Sequence, residues 1–250
     1  MKVSAFIPAR FASTRLKGKP LVDIGGKPLV QRVYERAGLA ALIDEVVVAT
    51  DDERIFNAVK GFGGKVVMTS PEHRSGTDRV AEAAGSFPEA AVIVNIQGDE
   101  PLIESGAIDK AIRPLLDDPA LEVATLKTPI TDEEEYLDPH AVKVVTDREG
   151  YALYFSRSPM PYGLKDFSGS ADAQKKAFKH IGLYVYRRDF LLRFSRWKQT
   201  RLEAAERLEQ LRALENGVRI KVIETACNPV SVDTPEDLEK VRAIMAATLK

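Results

Sequence analysis

Cysteine is nearly absent: Cys227 is the only one among 250 residues. A single thiol excludes an internal disulfide and any zinc site built from several cysteines. The expected state is a buried, inert thiol in a reducing, cytosolic compartment. An excess of either charge is also missing, since 36 Lys and Arg face 37 Asp and Glu for a formal net charge of −1. That balance gives no reason to expect nucleic acid or an anionic membrane as a partner. No apolar stretch approaches the roughly 20 residues of a membrane span, and the apolar run after Lys2 is too short for a signal peptide. The three histidines, His73, His140 and His180, are too scattered for a good transition-metal set. Two glycine signatures are lacking as well: neither Gly-x-Gly-x-x-Gly nor Gly-x-x-x-x-Gly-Lys-Ser/Thr occurs. Their absence argues against a nicotinamide enzyme and an ordinary P-loop ATPase.

What is present is an alternation of strand and helix patterns. Val3 to Ile7, Glu45 to Thr50, Lys65 to Thr69 and Ala91 to Ile96 read as buried strands. Between them, helices are expected from Pro28 to about Leu42, after an Asp51 or Asp52 cap, and from Ser75 to about Ala84. Leu21–Ile24 reads as a short strand. This order predicts an α/β fold with a mostly parallel central sheet and helices on both faces. The second half is less regular. Ser105 opens a helix that Pro114 disfavours continuing. Strands are expected at Val123–Thr128, Ala141–Thr146, Tyr151–Ser156, His180–Tyr186 and Val218–Ile223, a helix over Leu202–Asn216, and a terminal helix after Pro235. The chain reads as a single domain over 1–250 with a small inserted subdomain near 120–190, for substrate binding or dimerisation. The Pro-, Gly- and Ser-rich stretch 159–178 is a candidate lid.

The organising stretch is Phe6 to Pro20. Pro8 ends the first strand, and Arg10, Arg15, Lys17 and Lys19 follow within ten positions. Ligands of open α/β sheets bind beyond the carboxyl ends of the strands. Cations placed there suit a polyanion such as a nucleotide's phosphates, unless they form only a solvated basic loop. Asp99 follows a strand and Gly98, and Asp233 stands before Thr234-Pro235-Glu236. Each is a fit oxygen ligand for Mg²⁺ and equally a helix cap or loop residue. His180 on a strand is packed or hydrogen-bonded, or else it acts on a ligand. Arg157 at a strand end binds a carboxylate or forms a surface ion pair.

Taken together, these motifs resemble sugar-activating nucleotidyltransferases. They are Ile7-Pro8-Ala9-Arg10, Ser13-Thr14-Arg15-Leu16, Gly18-Lys19-Pro20-Leu21, Ala49-Thr50-Asp51, Ser75-Gly76-Thr77-Asp78-Arg79, Gln97-Gly98-Asp99-Glu100-Pro101, Tyr154-Phe155-Ser156-Arg157, His180-Ile181-Gly182-Leu183-Tyr184, Leu208-Glu209-Gln210 and Val232-Asp233-Thr234-Pro235. The joint set is similar to the 3-deoxy-manno-octulosonate (Kdo) cytidylyltransferases, or CMP-Kdo synthetases, of Gram-negative bacteria, from about Lys2 to Arg242. Lys17 departs from it, since many relatives carry Pro there.

The resemblance implies a Rossmann-like nucleotidyltransferase fold. It implies transfer of CMP from CTP to Kdo with Mg²⁺, releasing pyrophosphate, for lipopolysaccharide synthesis in the bacterial cytoplasm, and a homodimer. It implies that Arg10, Arg15 and Lys19 hold the triphosphate, and that Ala9, Ser13, Ser75, Gly76 and Arg79 frame the cytidine. Asp99 and Asp233 hold the metal, and Gln97, Arg157, His180, Tyr184, Glu209 and Gln210 bind the sugar acid, with Arg157 first for its carboxylate. Two alternatives remain: a cytidylyltransferase for another sugar acid, such as 8-amino-Kdo or a sialic acid, and a non-catalytic nucleotide-sugar sensor.

Overall fold

The run Val3–Ile7 is apolar on both faces, apart from Ser4, because both of its faces are covered. The computed structural model describes residues 1–12, 16–163 and 176–248. In it β1 (Lys2–Ala9) sends Val3, Ala5, Ile7 and Ala9 into one core and Phe6 into another. Side-chain alternation across the pleat produces that division. β2 (Glu45–Thr50), β3 (Lys65–Met68) and β4 (Ala90–Asn95) extend the sheet in parallel, with β1 between β2 and β4.

The first core is closed by α1 (Leu29–Ala37), α2 (Glu53–Gly61), α4 (Ser105–Asp117) and α9 (Pro235–Thr248). The second lies under α3 (Gly76–Gly85), α6 (Arg188–Phe194) and α8 (Leu211–Glu215). Helices therefore cover both faces of the sheet, as the alternation predicts. Among the described residues no helix is long and apolar enough to cross a membrane.

The second half joins the same sheet. β5 (Val123–Pro129) pairs in parallel with β9 (Ile220–Glu224). β8 (Phe178–Arg187) runs antiparallel between β4 and β5, giving the order β3-β2-β1-β4-β8-β5-β9. β6 (Lys143–Thr146) and β7 (Ala152–Ser156) form a hairpin that touches the sheet through Lys143 and Lys179. Two short helices, α5 (Glu133–Leu137) and α7 (Arg201–Glu206), complete the described chain.

Several local expectations fail for physical reasons. Leu21–Ile24 is not a strand; Lys19–Leu21 forms a single 3₁₀ turn, and only Asp23 bridges Pro28. α1 stops at Ala37 because Gly38 ends it, and the Asp109 carboxylate takes the amides of Ala41 and Leu42. α4 runs through Pro114 to Asp117, with Leu115 buried in the core. The helix expected over Leu202–Asn216 is broken at Arg207, which adopts φ +55°. α6 has no clear sequence signal, whereas α5, which was not expected, is capped by Asp132 accepting from the Glu135 amide at 2.7 Å. The candidate lid over 159–178 falls largely outside the described residues.

Glu45 ties the amino-terminal edge of β2 to its neighbours. It accepts hydrogen bonds from Ser4 Oγ at 2.8 Å and Lys65 Nζ at 2.8 Å, and Lys2 Nζ lies 2.6 Å away. Burial alone would raise its carboxyl, but bonds from Lys2, Lys65 and Ser4 outweigh that and lower it to about 2. Its folded pKa lies below its unfolded one, so its contribution is full above about pH 4.5 and is lost as the pH falls toward about 2. We expect Glu45→Gln to cost about 1–2 kcal/mol at neutral pH and to flatten the stability profile between these limits. Chemical denaturation at stepped pH checks this; parallel profiles for the two proteins would refute it.

The ends of β1 and β4 approach so closely that Gly98 has no room for a side chain. A Cβ there would lie 2.7 Å from the Pro8 carbonyl oxygen. Gly98→Ala is expected to cost about 1–3 kcal/mol and lower the melting temperature by several degrees. An unchanged thermal melt would show that this contact is not tight.

Candidate active site

Three segments far apart in the sequence meet beyond the carboxyl ends of β1 and β4. Gly18, held at φ +69°, turns the chain into the 3₁₀ turn that starts at Lys19. Gly98 lets the chain leaving β4 pass against the Pro8 carbonyl just before Asp99. The Val232 amide donates to the Asp99 carbonyl at 2.8 Å, laying the last loop beside the same turn. Capping of α9 is carried by Thr234 and Asp237: the Asp237 carboxylate accepts from the amides of Asp233 and Thr234, and Thr234 Oγ1 takes the Asp237 amide. The Asp233 carboxylate faces Lys19.

Lys19 Nζ donates to Asp99 Oδ2 at 2.7 Å and to Asp233 Oδ1 at 3.0 Å. Burial disfavours the ammonium, but Asp99 and then Asp233 more than compensate and raise its pKa. The group is therefore a fixed cation between two carboxylates. These residues line a cleft of about 320 Å³, together with Ala9, Arg10, Gly76 and Gln97.

Arg10 supplies a second cation. Its guanidinium donates to the Ser75 carbonyl at 3.0 Å. Burial and then the nearby Arg79 lower its pKa, while Asp51 and Asp78 support the charge. Ser75 Oγ caps α3 by accepting from the Asp78 amide at 3.0 Å. Gly76 packs on Pro8, so the amino end of α3 reaches the cleft beside Arg10. Exposed helix amides and arginine both suit phosphate oxygens. Ser13 and Arg15 lie outside the described residues.

Arg79 is not in the cleft. It is fully buried, with Nη2 2.8 Å from Asp51 and Nη1 bonded to Thr69. Its contribution here is to brace α3 against the strand ends. Arg157 also departs from its expected place. Its Nε donates to the Glu206 carbonyl and its Nη1 to the Pro139 carbonyl, both at 2.9 Å. In this conformation it ties β7 to the start of the Arg207 break and is not among the side chains lining the cleft.

The other expected sugar ligands divide. Gln97 lines the cleft and donates to the Gly182 carbonyl at 3.0 Å. His180 is 2.9 Å from Thr125 Oγ1, and burial lowers its pKa to about 3. It is neutral at physiological pH and supplies no positive charge. Tyr184 stacks on Tyr186 and leans on His180; its buried hydroxyl lacks a hydrogen-bond partner, and burial raises its pKa. Glu209 lines a neighbouring cavity of about 560 Å³ with Arg74, Ser75, Asp78 and Arg212. Burial raises its carboxyl, with Arg212 Nη2 3.6 Å away. Gln210 is buried at the entry to α8. A larger cavity of about 600 Å³, flanked by Glu100, Glu134, Asp138 and His180, contains neither Arg10 nor Lys19. The convergent charges, and not the volume, mark the cleft as the site.

Three supporting residues were not singled out by sequence reasoning. Asp51 neutralises Arg79, Glu206 anchors Ser156 and Arg157, and Thr125 orients His180. Asp51 had a signal, because it ends the Ala49-Thr50-Asp51 motif. The others act on partners 49 or more residues away, so no local pattern marks them.

The donor set fits a hard divalent cation. Two carboxylates from separate loops already share one cationic group, and Mg²⁺ commonly takes one or two carboxylates beside substrate phosphates and water. Among the described residues there is no cluster of three or more acidic, His or Cys side chains that would enclose a metal ion.

Residues 4–220 match the family model described as Cytidylyltransferase. The chain is 60% identical over 247 residues to a 3-deoxy-manno-octulosonate cytidylyltransferase of Geobacter sulfurreducens, covering 96% of this chain and 98% of that one. It is 54% identical over 248 residues to the protein of that name from Solibacter usitatus, covering 99% and 96%. Among solved structures, a CMP:2-keto-3-deoxy-manno-octonic acid synthetase complexed with CTP is 47% identical, with a TM-score of 0.91 over 99% of this chain and 100% of that one. A 4-diphosphocytidyl-2C-methyl-D-erythritol synthase, 18% identical with a TM-score of 0.63 over 98% and 100%, shares the fold. By the family match over most of its length, the chain belongs to the cytidylyltransferase family, beside the 3-deoxy-manno-octulosonate cytidylyltransferases.

Proposed function

We propose that this enzyme transfers CMP from CTP to the anomeric hydroxyl of Kdo, forming CMP-Kdo and pyrophosphate. The observation that carries the reading is the meeting of Lys19, Asp99 and Asp233 in a cleft that Arg10 also lines. The kinship with Kdo cytidylyltransferases supports the choice of base and sugar.

Attack by the sugar hydroxyl on the α-phosphorus makes a P–O bond and breaks the bond to the β-phosphate, releasing pyrophosphate. Such transfers depend on position and charge more than on covalent help. Arg10 and Lys19 would hold the triphosphate and balance charge on the leaving pyrophosphate. The amino end of α3, capped by Ser75, would contribute backbone amides to the nucleotide. Gln97, fixed by the Gly182 carbonyl, would hydrogen-bond the sugar acid at the cleft. Neutral His180 would serve as a hydrogen-bonding wall and not as an acid, since its pKa of about 3 leaves no imidazolium at neutral pH. Asp99 and Asp233 would hold Mg²⁺, which when bound neutralises phosphate charge and acidifies the attacking hydroxyl.

The same reading places the enzyme in the bacterial cytoplasm, supplying an activated sugar for lipopolysaccharide synthesis, and working as a homodimer.

Pyrophosphate release with Kdo and Mg²⁺, offering CTP, UTP, ATP and GTP separately, tests the reaction. Release is expected with CTP alone and only when sugar and metal are both present; silence with CTP would overturn the reading. Asp99→Asn is expected to reduce turnover by about 100-fold or more while CTP binding stays measurable by calorimetry. Normal turnover in that variant would remove Asp99 from the metal role.

A further inference from the structure

The neck of the basic loop is closed by an interaction that no phosphate contact requires. The Gly18 amide donates to the Phe11 carbonyl at 3.3 Å, joining the two ends of the segment between them. Gly18, at φ +69°, sits against the tip of the Phe11 ring; a Cβ there would lie 3.1 Å from ring atoms Cε2 and Cζ. Over the ring stands Arg54, its guanidinium carbon 3.2 Å from the centroid. Arg54 is itself held flat by Asp52, through Nε at 2.9 Å and Nη2 at 2.6 Å. Asp52 also caps α2 by accepting from the Arg54 amide at 2.9 Å.

An exposed ion pair such as Arg54–Asp52 contributes little stability by itself. Here it fixes a guanidinium plane over an aromatic face, which is attractive in its own right. The chain of contacts runs from the core, where Ile55 and Val59 bury the inner side of α2, through Asp52 and Arg54 to Phe11 and Gly18. Arg10 precedes Phe11 and Lys19 follows Gly18. Both cations of the cleft are therefore one residue from the clamped neck.

We propose that Phe11 and Arg54, the latter held by Asp52, are positioning residues: their stack sets where Arg10 and Lys19 meet the triphosphate. Neither side chain needs to touch the nucleotide. Small displacements of such groups cost activity steeply, since binding constellations require placement within about 0.5 Å. Arginine suits the part because lysine has no plane to stack. The inference rests on the CTP reading of the site for its kinetic consequence, but the clamp itself is testable without nucleotide.

Two measurements on Arg54→Ala, Arg54→Lys, Phe11→Leu and Phe11→Tyr decide it. The first is exchange of the Gly18 amide, followed by NMR without ligand. The second is steady-state pyrophosphate release, separating KM for CTP, KM for Kdo and kcat. Arg54→Ala and Phe11→Leu are expected to speed Gly18 exchange about 2–5-fold and to raise KM for CTP by a similar factor. KM for Kdo and the melting temperature should stay near wild type, Phe11→Tyr should restore both readouts, and Arg54→Lys should not. Unchanged Gly18 exchange in Arg54→Ala and Phe11→Leu would overturn the clamp. Equal losses for both substrates with a lowered melting temperature would reduce it to ordinary packing and overturn the positioning role. Faster Gly18 exchange in a protein whose wild type shows no CTP turnover would uphold the clamp and refute only the nucleotide reading.

Discussion

Two carboxylates held side by side repel unless a cation stands between them, and Lys19 meets that requirement for Asp99 and Asp233. The surrounding architecture is arranged to make the meeting possible. Gly18 turns Lys19 inward, Gly98 lies against the Pro8 carbonyl just before Asp99, and the Val232–Asp99 hydrogen bond brings the last loop alongside. Each of these features is a backbone condition, and none could be replaced by a side-chain contact. The sheet supplies the remainder, because β1 and β4 are adjacent and parallel and so end on the same side.

The site has two chemically different sides. On the phosphate side, Arg10 and Lys19 keep their charge against partial burial because acidic groups support them. Toward β8, two ionisable groups, His180 and Glu100, are pressed into neutral forms. Burial takes His180 down to about 3, and burial with the adjacent Asp99 takes Glu100 up to about 8. Neutral hydrogen-bonding groups suit a polyhydroxylated acceptor, whereas fixed cations suit a polyanion. The carboxyl ends of β1, β4 and β8 thus carry two chemically distinct surfaces side by side.

Much of the first half was legible from local signals. Continuous apolar runs marked β1, β2 and β4, and the caps Asp52 and Ser75 fell where side-chain oxygens precede helices. Lys19, Asp99 and Asp233 were legible as loop residues after strands, but their convergence was not, because it depends on segments 80 and 214 positions apart. Arg79 and Arg157 were legible as cations and illegible in orientation. Each is claimed by partners from other parts of the chain: Asp51, which a motif marked but did not pair with Arg79, and Thr69 for one, Glu206 and Pro139 for the other. The helix over Leu202–Asn216 misled for a related reason. Its leucines keep helical spacing, yet Arg207 turns left-handed and Glu203 leaves the amphipathic pattern to pair with Arg212.

The antiparallel strand at the middle of the sheet has a consequence for the chain during its synthesis. β3, β2, β1 and β4 find all their partners among themselves apart from β8, so no pairing within this group waits for the second half of the chain. β5 has no such opportunity: its partners, β8 and β9, both come later. β5 ends at Pro129 and β8 begins at Phe178, so at ribosomal speeds β5 waits on the order of seconds with both edges open. In that interval the nascent protein carries an unpaired apolar strand beside an already folded half-sheet, the kind of surface that molecular chaperones recognise. The arrival of β8 joins β5 to the first half-sheet, and only β9, the last strand of the chain, covers the remaining edge of β5.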